Sequence, residues 1–356
     1  MFNESKDSST AGLIRLCIGY FTFYVLTGVL VKYFQGSKEL GLPDFSGIEY
    51  LVYSTLGGTA FALSIVFALK WYRFESESYI NIGPLKLPRE VYYIIPSGIC
   101  TAVVIPTTTL LYSLPISVMV AMVIMRGSVI VISRVVDAIQ IKQGLLKKKV
   151  YLEENLAVVF AILGVSTNLF FVGEGEFEFV GNFAAMAILI SYILAYSLRI
   201  YIMNYYKNTR TSKVKQDNKA FFGLEQIFAT LTMLLVFLGL IYFAGSENGV
   251  TFQFRETVTN ARSDWFWAVL AGVPFGAVAF FSVFIFMYKG RTATFAGLVN
   301  RLTSLLAGTT ATLIFAFFIS GKYPDKSEWL SLIFILVAVG FITRAEKKRI
   351  KELQLN

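Results

Sequence analysis

The sequence predicts an all-α polytopic membrane protein, with ten transmembrane helices arranged as two inverted five-helix repeats. Three observations predict it. The 356 residues are 56% hydrophobic and only 15% charged, in long apolar blocks parted by short polar ones. Lysines and arginines gather in alternate polar segments rather than evenly along the chain. A lone arginine, Arg126, stands inside the apolar run MVIMRGSVIVIS (122–133), and about 175 residues later Arg301 stands at a comparable depth in TFAGLVNRLTSLLAG.

Apolar runs of about 18 residues or more are long enough to cross about 30 Å of hydrocarbon. They fall at 11–34, 46–71, 91–112, 116–138, 154–173, 179–205, 220–244, 264–288, 293–319 and 328–343. Two junctions are short. Ser113-Leu114-Pro115 separates the third and fourth runs, and Lys289-Gly290-Arg291-Thr292 separates the eighth and ninth; proline or glycine at each favours a break. The start, MFNESKDSSTAGLIR, has no cleavage pattern and leads into the first span.

Basic residues test the count, because a wrong number of spans would scramble their alternation. With both termini in the cytoplasm, 24 of the 32 lysines and arginines fall inside and six outside, leaving Arg126 and Arg301 in the spans. Loop 206–219, YKNTRTSKVKQDNK, then reads as a cytoplasmic linker after helix six, and 344–356 as a basic cytoplasmic tail. Repeat one covers 11–173 and repeat two 179–343. Placing LLYSLPISVMVAMVIMRGSVIVIS against FMYKGRTATFAGLVNRLTSLLAGT with one gap matches Tyr112 with Tyr288 and Arg126 with Arg301. Five helices per half put the two repeats in opposite orientations.

A guanidinium stays charged in a protein, and in hydrocarbon it costs at least about 2.5–3.5 kcal/mol, so it faces a cavity or the interior of a bundle. On the fourth helix Met119, Met122, Arg126, Ser133 and Asp137 share one face. On the ninth, Gly297, Arg301, Ser304 and Gly308 do, with Asn300 beside them. Small residues also serve helix packing, and Arg126 bonded only within the bundle is the structural alternative. The sixth helix adds Tyr192 and Tyr196, which either stack on a ligand or pack. Candidate substrate-binding residues are therefore Arg126, Arg301, Asn300, Gly297, Ser304, Met122, Ser133, Tyr192 and Tyr196. Thr107, Thr108 and Thr109 after Pro106 suit backbone groups freed by a kink.

Several function classes are excluded or disfavoured. No histidine is present, which removes histidine-dependent hydrolases, acyltransferases and zinc proteases. No Walker motif, C-x-x-C pair or paired carboxylates appear, so no enzyme activity, cofactor or metal is expected. The net charge of +9 is explained by cytoplasmic loops and anionic headgroups, not by nucleic acid. Cys17 and Cys100 lie within apolar runs and are expected to stay unpaired. Carboxylates are scarce at depth, Glu225 and Asp137 being the candidates, which disfavours a proton-coupled cation exporter.

The chain resembles the drug/metabolite transporter superfamily, whose members have ten helices in two inverted repeats. MRGSVIVIS (125–133) is similar to a stretch of the solute carrier 35 branch, and Gly297-Leu298-Val299-Asn300-Arg301 to the Gly-Ala-Leu-Asn-Lys motif of nucleotide-sugar transporters. That resemblance implies a sugar-contacting role for Gly297, Asn300 and Arg301. The Phe-Tyr-Asn-Asn motif of the GDP-mannose transporters has no counterpart in GLEQIFATLTMLL (223–235). The expectation is a secondary transporter for a small anionic metabolite, such as a phosphorylated or nucleotide-linked sugar or a carboxylate, in a lipid bilayer. A bacterial inner membrane is preferred to a eukaryotic internal one. A broad exporter of amphipathic solutes and a non-transporting scaffold are the alternatives, and the oligomeric state stays open.

Overall fold

The computed structural model describes residues 9–76, 78–82, 85–113, 118–147, 149–167, 183–210, 216–243, 249–320, 323–324 and 326–355. Its helices are α1 (Thr10–Phe34), α2 (Gly47–Ala68), α3 (Val91–Ser113), α4 (Val118–Lys142), α5 (Leu152–Ser166), α6 (Phe183–Thr209), α7 (Asn218–Phe243), α8 (Val250–Thr259), α9 (Trp265–Ala271), α10 (Val273–Phe286), α11 (Ala293–Phe315) and α12 (Lys326–Leu355). Among the described residues, eight helical segments are long and apolar enough to cross a membrane, α9 and α10 together forming one. The chain is thus an all-α, integral multi-pass membrane protein. Leu235, Phe317 and Phe318 are among the many large apolar side chains left exposed, as hydrocarbon rather than water would favour.

Helix ends are set by local chemistry. Ser9 Oγ accepts from Gly12 N at 3.1 Å at the start of α1. Ser46 and Glu49 cap each other's backbone amides at the start of α2, with bonds of 2.7 and 3.2 Å. Between α10 and α11, Gly290 adopts φ 82°, a left-handed turn open to glycine without strain, and Thr292 then caps Phe295 N at 3.1 Å. This break falls where the sequence placed it. The Leu114-Pro115 part of the other short junction and residues 172–181 lie outside the described residues.

Tight crossings hold the bundle. A Cβ on Gly57 would stand 1.7 Å from Val269 O, and one on Gly272 2.0 Å from Ser54 O, so α2 meets α9 and α10 backbone to backbone. Helix α3 packs on α6 and α7, while α10 packs on α1 and α2; α11 packs on α1, α4 on α6, and α5 on α12. Helix boundaries also recur at one interval: α1 ends at 34 and α6 at 209, α2 at 68 and α7 at 243, and α4 begins at 118 and α11 at 293.

The bundle has two ends. One, the basic face, gathers the start of α1 and the end of α12, joined by Thr10 Oγ1 donating to Glu346 at 3.0 Å and Tyr288 OH donating to Ser9 O at 2.5 Å. The far face carries the end of α1 and the start of α2, where Phe45 N donates to Phe34 O at 2.8 Å. Three features differ from the sequence reading. Strands β1 (Tyr79–Ile82) and β2 (Leu85–Pro88) form an antiparallel hairpin before α3. Short helix α8 lies between α7 and α9, with Tyr53 OH donating to Thr257 O at 2.8 Å. Helix α12 runs past 343 to Leu355, because Arg349 donates to Lys149 O at 2.5 Å and to Glu154 at 3.2 Å and so holds the charged extension against α5.

Candidate functional site

A cavity of about 680 Å³ opens between the helices at the far face. Tyr24, Gly28 and Lys32 form one of its walls at a spacing of four residues along α1. Leu305, Gly308 and Thr312 form another along α11, and Glu328 stands where α12 begins. Such a volume falls within the range of about 300–1,000 Å³ that takes a small-molecule ligand.

Arg126 lines this cavity and is half-buried. Among the described residues its guanidinium forms no hydrogen bond or ion pair. Gly308 leaves the space for it, since a Cβ there would lie 3.7 Å from Arg126 Nη2. A charge that cannot be shed, held on a cavity wall with no described carboxylate in ion-pairing range, suits water or an incoming anion.

Arg301 sits one layer deeper and does not line that cavity. It is 9% exposed, its guanidinium carbon is 5.0 Å from the centre of the Tyr196 ring, and its Nε and Nη2 have no hydrogen-bond partner among the described residues. Tyr192 and Tyr196 lie 5.1 Å apart ring to ring, and Tyr192 OH donates to Met125 O at 3.4 Å. The sixth-helix tyrosines thus join the α4 and α11 arginines into one region, without placing both arginines on one wall.

The remaining candidates mostly pack. A Cβ on Gly297 would approach Ser133 Oγ to 2.2 Å, so these two mark the crossing of α4 and α11. Ser133 donates to Val129 O at 2.8 Å and Ser304 to Arg301 O at 2.8 Å, and both are fully buried. Asn300 donates to Ser282 Oγ at 3.0 Å and accepts from Tyr20 OH at 3.4 Å, between α1, α10 and α11. The side chain of Met122 lies outside the described residues. Thr107 and Thr108 bond the Val103 and Val104 carbonyls one turn back, at 2.7 and 2.8 Å. The side chain of Thr109 is likewise outside the description.

Below the crossing the basic face is sealed by polar contacts that sequence reasoning missed. Asp137, 1% exposed, accepts from Ala293 N at 2.8 Å and Thr294 N at 2.6 Å and so caps the first turn of α11. Thr292 Oγ1 donates to Glu154 at 2.6 Å, and Arg349 bonds the same carboxylate. Arg291, 1% exposed, donates from Nε to Glu346 at 2.8 Å and makes a second bond to it from Nη2. Elsewhere Arg199 and Glu225 form a fully buried two-bond pair, at 2.9 and 3.0 Å, with Ser97 donating to the same carboxylate at 2.5 Å. Spacing along a single helix identifies a shared face, but such partners come from distant segments.

No family model matches the chain, and no curated protein does. One solved structure, described only as the crystal structure of a protein, aligns with TM-score 0.55 at 13% identity, covering 96% of this chain and 99% of the other. At that identity the likeness speaks to the fold alone.

Proposed function

We propose that the chain is a secondary membrane transporter of the drug/metabolite type, working by alternating access on a small anionic metabolite. The observation that carries this reading is a cavity open at one face, with Arg126, unpartnered among the described residues, on its wall, above a crossing closed by Gly297 and Ser133 and a sealed opposite face. Ten crossings follow if α4 and α5 also span. The helix ends that recur at one interval, and the exchanged packing of α3 on α6 and α7 against α10 on α1 and α2, support two inverted repeats. The basic face is then cytoplasmic by the positive-inside rule.

The cavity's fixed positive charge raises the local concentration of anions and opposes free cations. Closing the far face while releasing the contacts of Asp137, Arg291 and Glu154 would pass the solute across. Nothing in this cycle needs a cofactor. Phosphorylated sugars, nucleotide-linked sugars and carboxylates all offer the planar or tetrahedral oxyanions that a guanidinium binds with two bonds. Uptake by proteoliposomes tests the reading: anion flux is expected with the wild-type chain and lost with Arg126→Ala. Unchanged flux in that variant would remove the proposed role of Arg126, and no flux of any anion in a broad panel would favour a scaffold.

A further inference from the structure

The outward side of α12 changes chemistry at one level of the bilayer. Along its apolar length Ile333, Leu336 and Val337 are exposed, and a Cβ on Gly340 would meet nothing within 4 Å, so this side faces lipid. Continuing at steps of three and four residues, the same side presents Arg344, Lys347 and Lys351, all exposed, with Lys348 beside them. The stripe turns from apolar to cationic where the helix leaves its apolar run at 343.

The carboxylates of this extension lie on its other side. Glu346 is buried and bonds Arg291 and Thr10, while Arg349, also buried, bonds Glu154, the Lys149 carbonyl and Glu352. Lys348 donates to Glu153 at the edge of the stripe. Arg344, Lys347 and Lys351 form no ion pair among the described residues. Arg344 with Lys348, and Lys347 with Lys351, are like charges four positions apart, an arrangement that disfavours a helix in plain water. Exposed Lys147 and Lys149 adjoin the stripe through the bond of Arg349 to the Lys149 carbonyl and widen the cationic patch.

We propose that this patch is a docking surface for anionic phospholipid headgroups of the leaflet at the basic face. At about 1.5 Å per residue, Arg344 to Lys351 covers about 10 Å of helix, so the cations stay within about one Debye length of the headgroups. The leaflet supplies what the stripe lacks, net negative charge at the level of the cations, and each cation near such a surface adds to the attraction. The other side of the same helix seals the basic face. Headgroups that hold Arg344, Lys347 and Lys351 therefore also keep Glu346 on Arg291 and Arg349 on Glu154. Docking of this kind follows from the membrane-spanning fold alone, whatever the chain transports.

The test is hydrogen exchange of the full-length chain in nanodiscs of phosphatidylcholine, alone or in an equal mixture with phosphatidylglycerol. Phosphatidylglycerol is expected to slow exchange at 344–352 about tenfold, and raised salt to undo this. Arg344→Gln/Lys347→Gln/Lys351→Gln should lose the protection, and Arg344→Lys/Lys347→Arg/Lys351→Arg should keep it. Lys70→Gln/Arg73→Gln, at exposed basic positions between α2 and α3, should also keep it. Equal exchange in the two discs, or protection retained in the triple glutamine variant, would overturn the docking surface. Equal loss in the Lys70→Gln/Arg73→Gln variant would overturn it too, leaving only a general surface potential. Salt needs no substitution, so protection indifferent to it would count against the proposal even if the triple variant failed to fold.

A second arm adds inorganic phosphate or tripolyphosphate to the phosphatidylcholine discs. Neither should protect 344–352. Protection equal to that from phosphatidylglycerol would make the occupant a soluble anion and overturn the lipid assignment.

Discussion

The two ends of the α4–α11 pair are chemically unequal. At the basic face Asp137 caps α11 with two short charge-assisted bonds from Ala293 N and Thr294 N. At the far face the position 175 residues on is Thr312, which lines the cavity and donates to Gly308 O of its own helix at 3.1 Å. A carboxylate on an orphan helix N-terminus is worth about 0.5–2 kcal/mol, whereas a hydroxyl turned back on its own helix closes nothing between helices. Under the inverted-repeat reading this difference explains why the basic face is the closed one here. On that proposal, duplication would supply two gates of one geometry, and the residue at this one position would set which rests shut.

The largest expected effect lies outside that pair. Glu225→Ala leaves Arg199 buried and unpaired, and breaking such a pair costs about 3–5 kcal/mol. Thermal unfolding in detergent should show a drop of several degrees. A shift no larger than that of a surface variant would mean that water already reaches the pair.

Arg126→Ala comes next and sharpens the contrast, because Arg126 has no hydrogen-bond or ion-pair partner to lose among the described residues. Anion uptake should fall on the order of 100-fold, equivalent to about 2.7 kcal/mol, with little change in melting temperature. A large loss of stability with flux retained would make it a structural arginine.

Gly297→Ala follows, since its Cβ would meet Ser133 Oγ at 2.2 Å where α4 crosses α11. Overpacking there should cost about 1–3 kcal/mol in the melting transition, relieved in the Gly297→Ala/Ser133→Gly double variant, which removes both the Oγ at 2.2 Å and the Cβ at 2.8 Å. Simple additivity of the two changes would show that they do not meet.

The smallest effect should come from Asp137→Thr, which gives the basic face the residue of the far face. Loss of the cap is expected to cost about 1 kcal/mol, read as faster hydrogen exchange at Ala293 and Thr294 and not as global unfolding. Unchanged exchange at those amides would mean that the cap does not hold the gate.

Much of the fold was legible because apolar length and glycine breaks act locally. The turn at Gly290 and the eight spans of sufficient length follow from residues adjacent in sequence. The hairpin at 79–88 escaped notice although Tyr-Ile-Asn-Ile and Leu-Lys-Leu-Pro carry an alternating pattern about Gly83-Pro84, because hydropathy windows average over so short an element. The candidate site was legible only in part. Helical spacing brought out Arg126, whose isolation in an apolar run is itself the signal. The same spacing placed Gly297 and Ser133 on suitable faces without showing that they touch each other. The partners of Asp137, Arg199 and Arg291 lie 156, 26 and 55 positions away. Spacing along one helix cannot pair residues across such separations.

The most direct measurement is the melting temperature of the purified chain against graded concentrations of phosphorylated and carboxylated metabolites, for wild type and Arg126→Ala. A ligand at about 100 times its Kd stabilises the folded state by about 2.7 kcal/mol. At least one anion should therefore raise the wild-type transition by several degrees and leave Arg126→Ala unmoved. Equal shifts in both proteins, or stabilisation by cations instead of anions, would contradict the account.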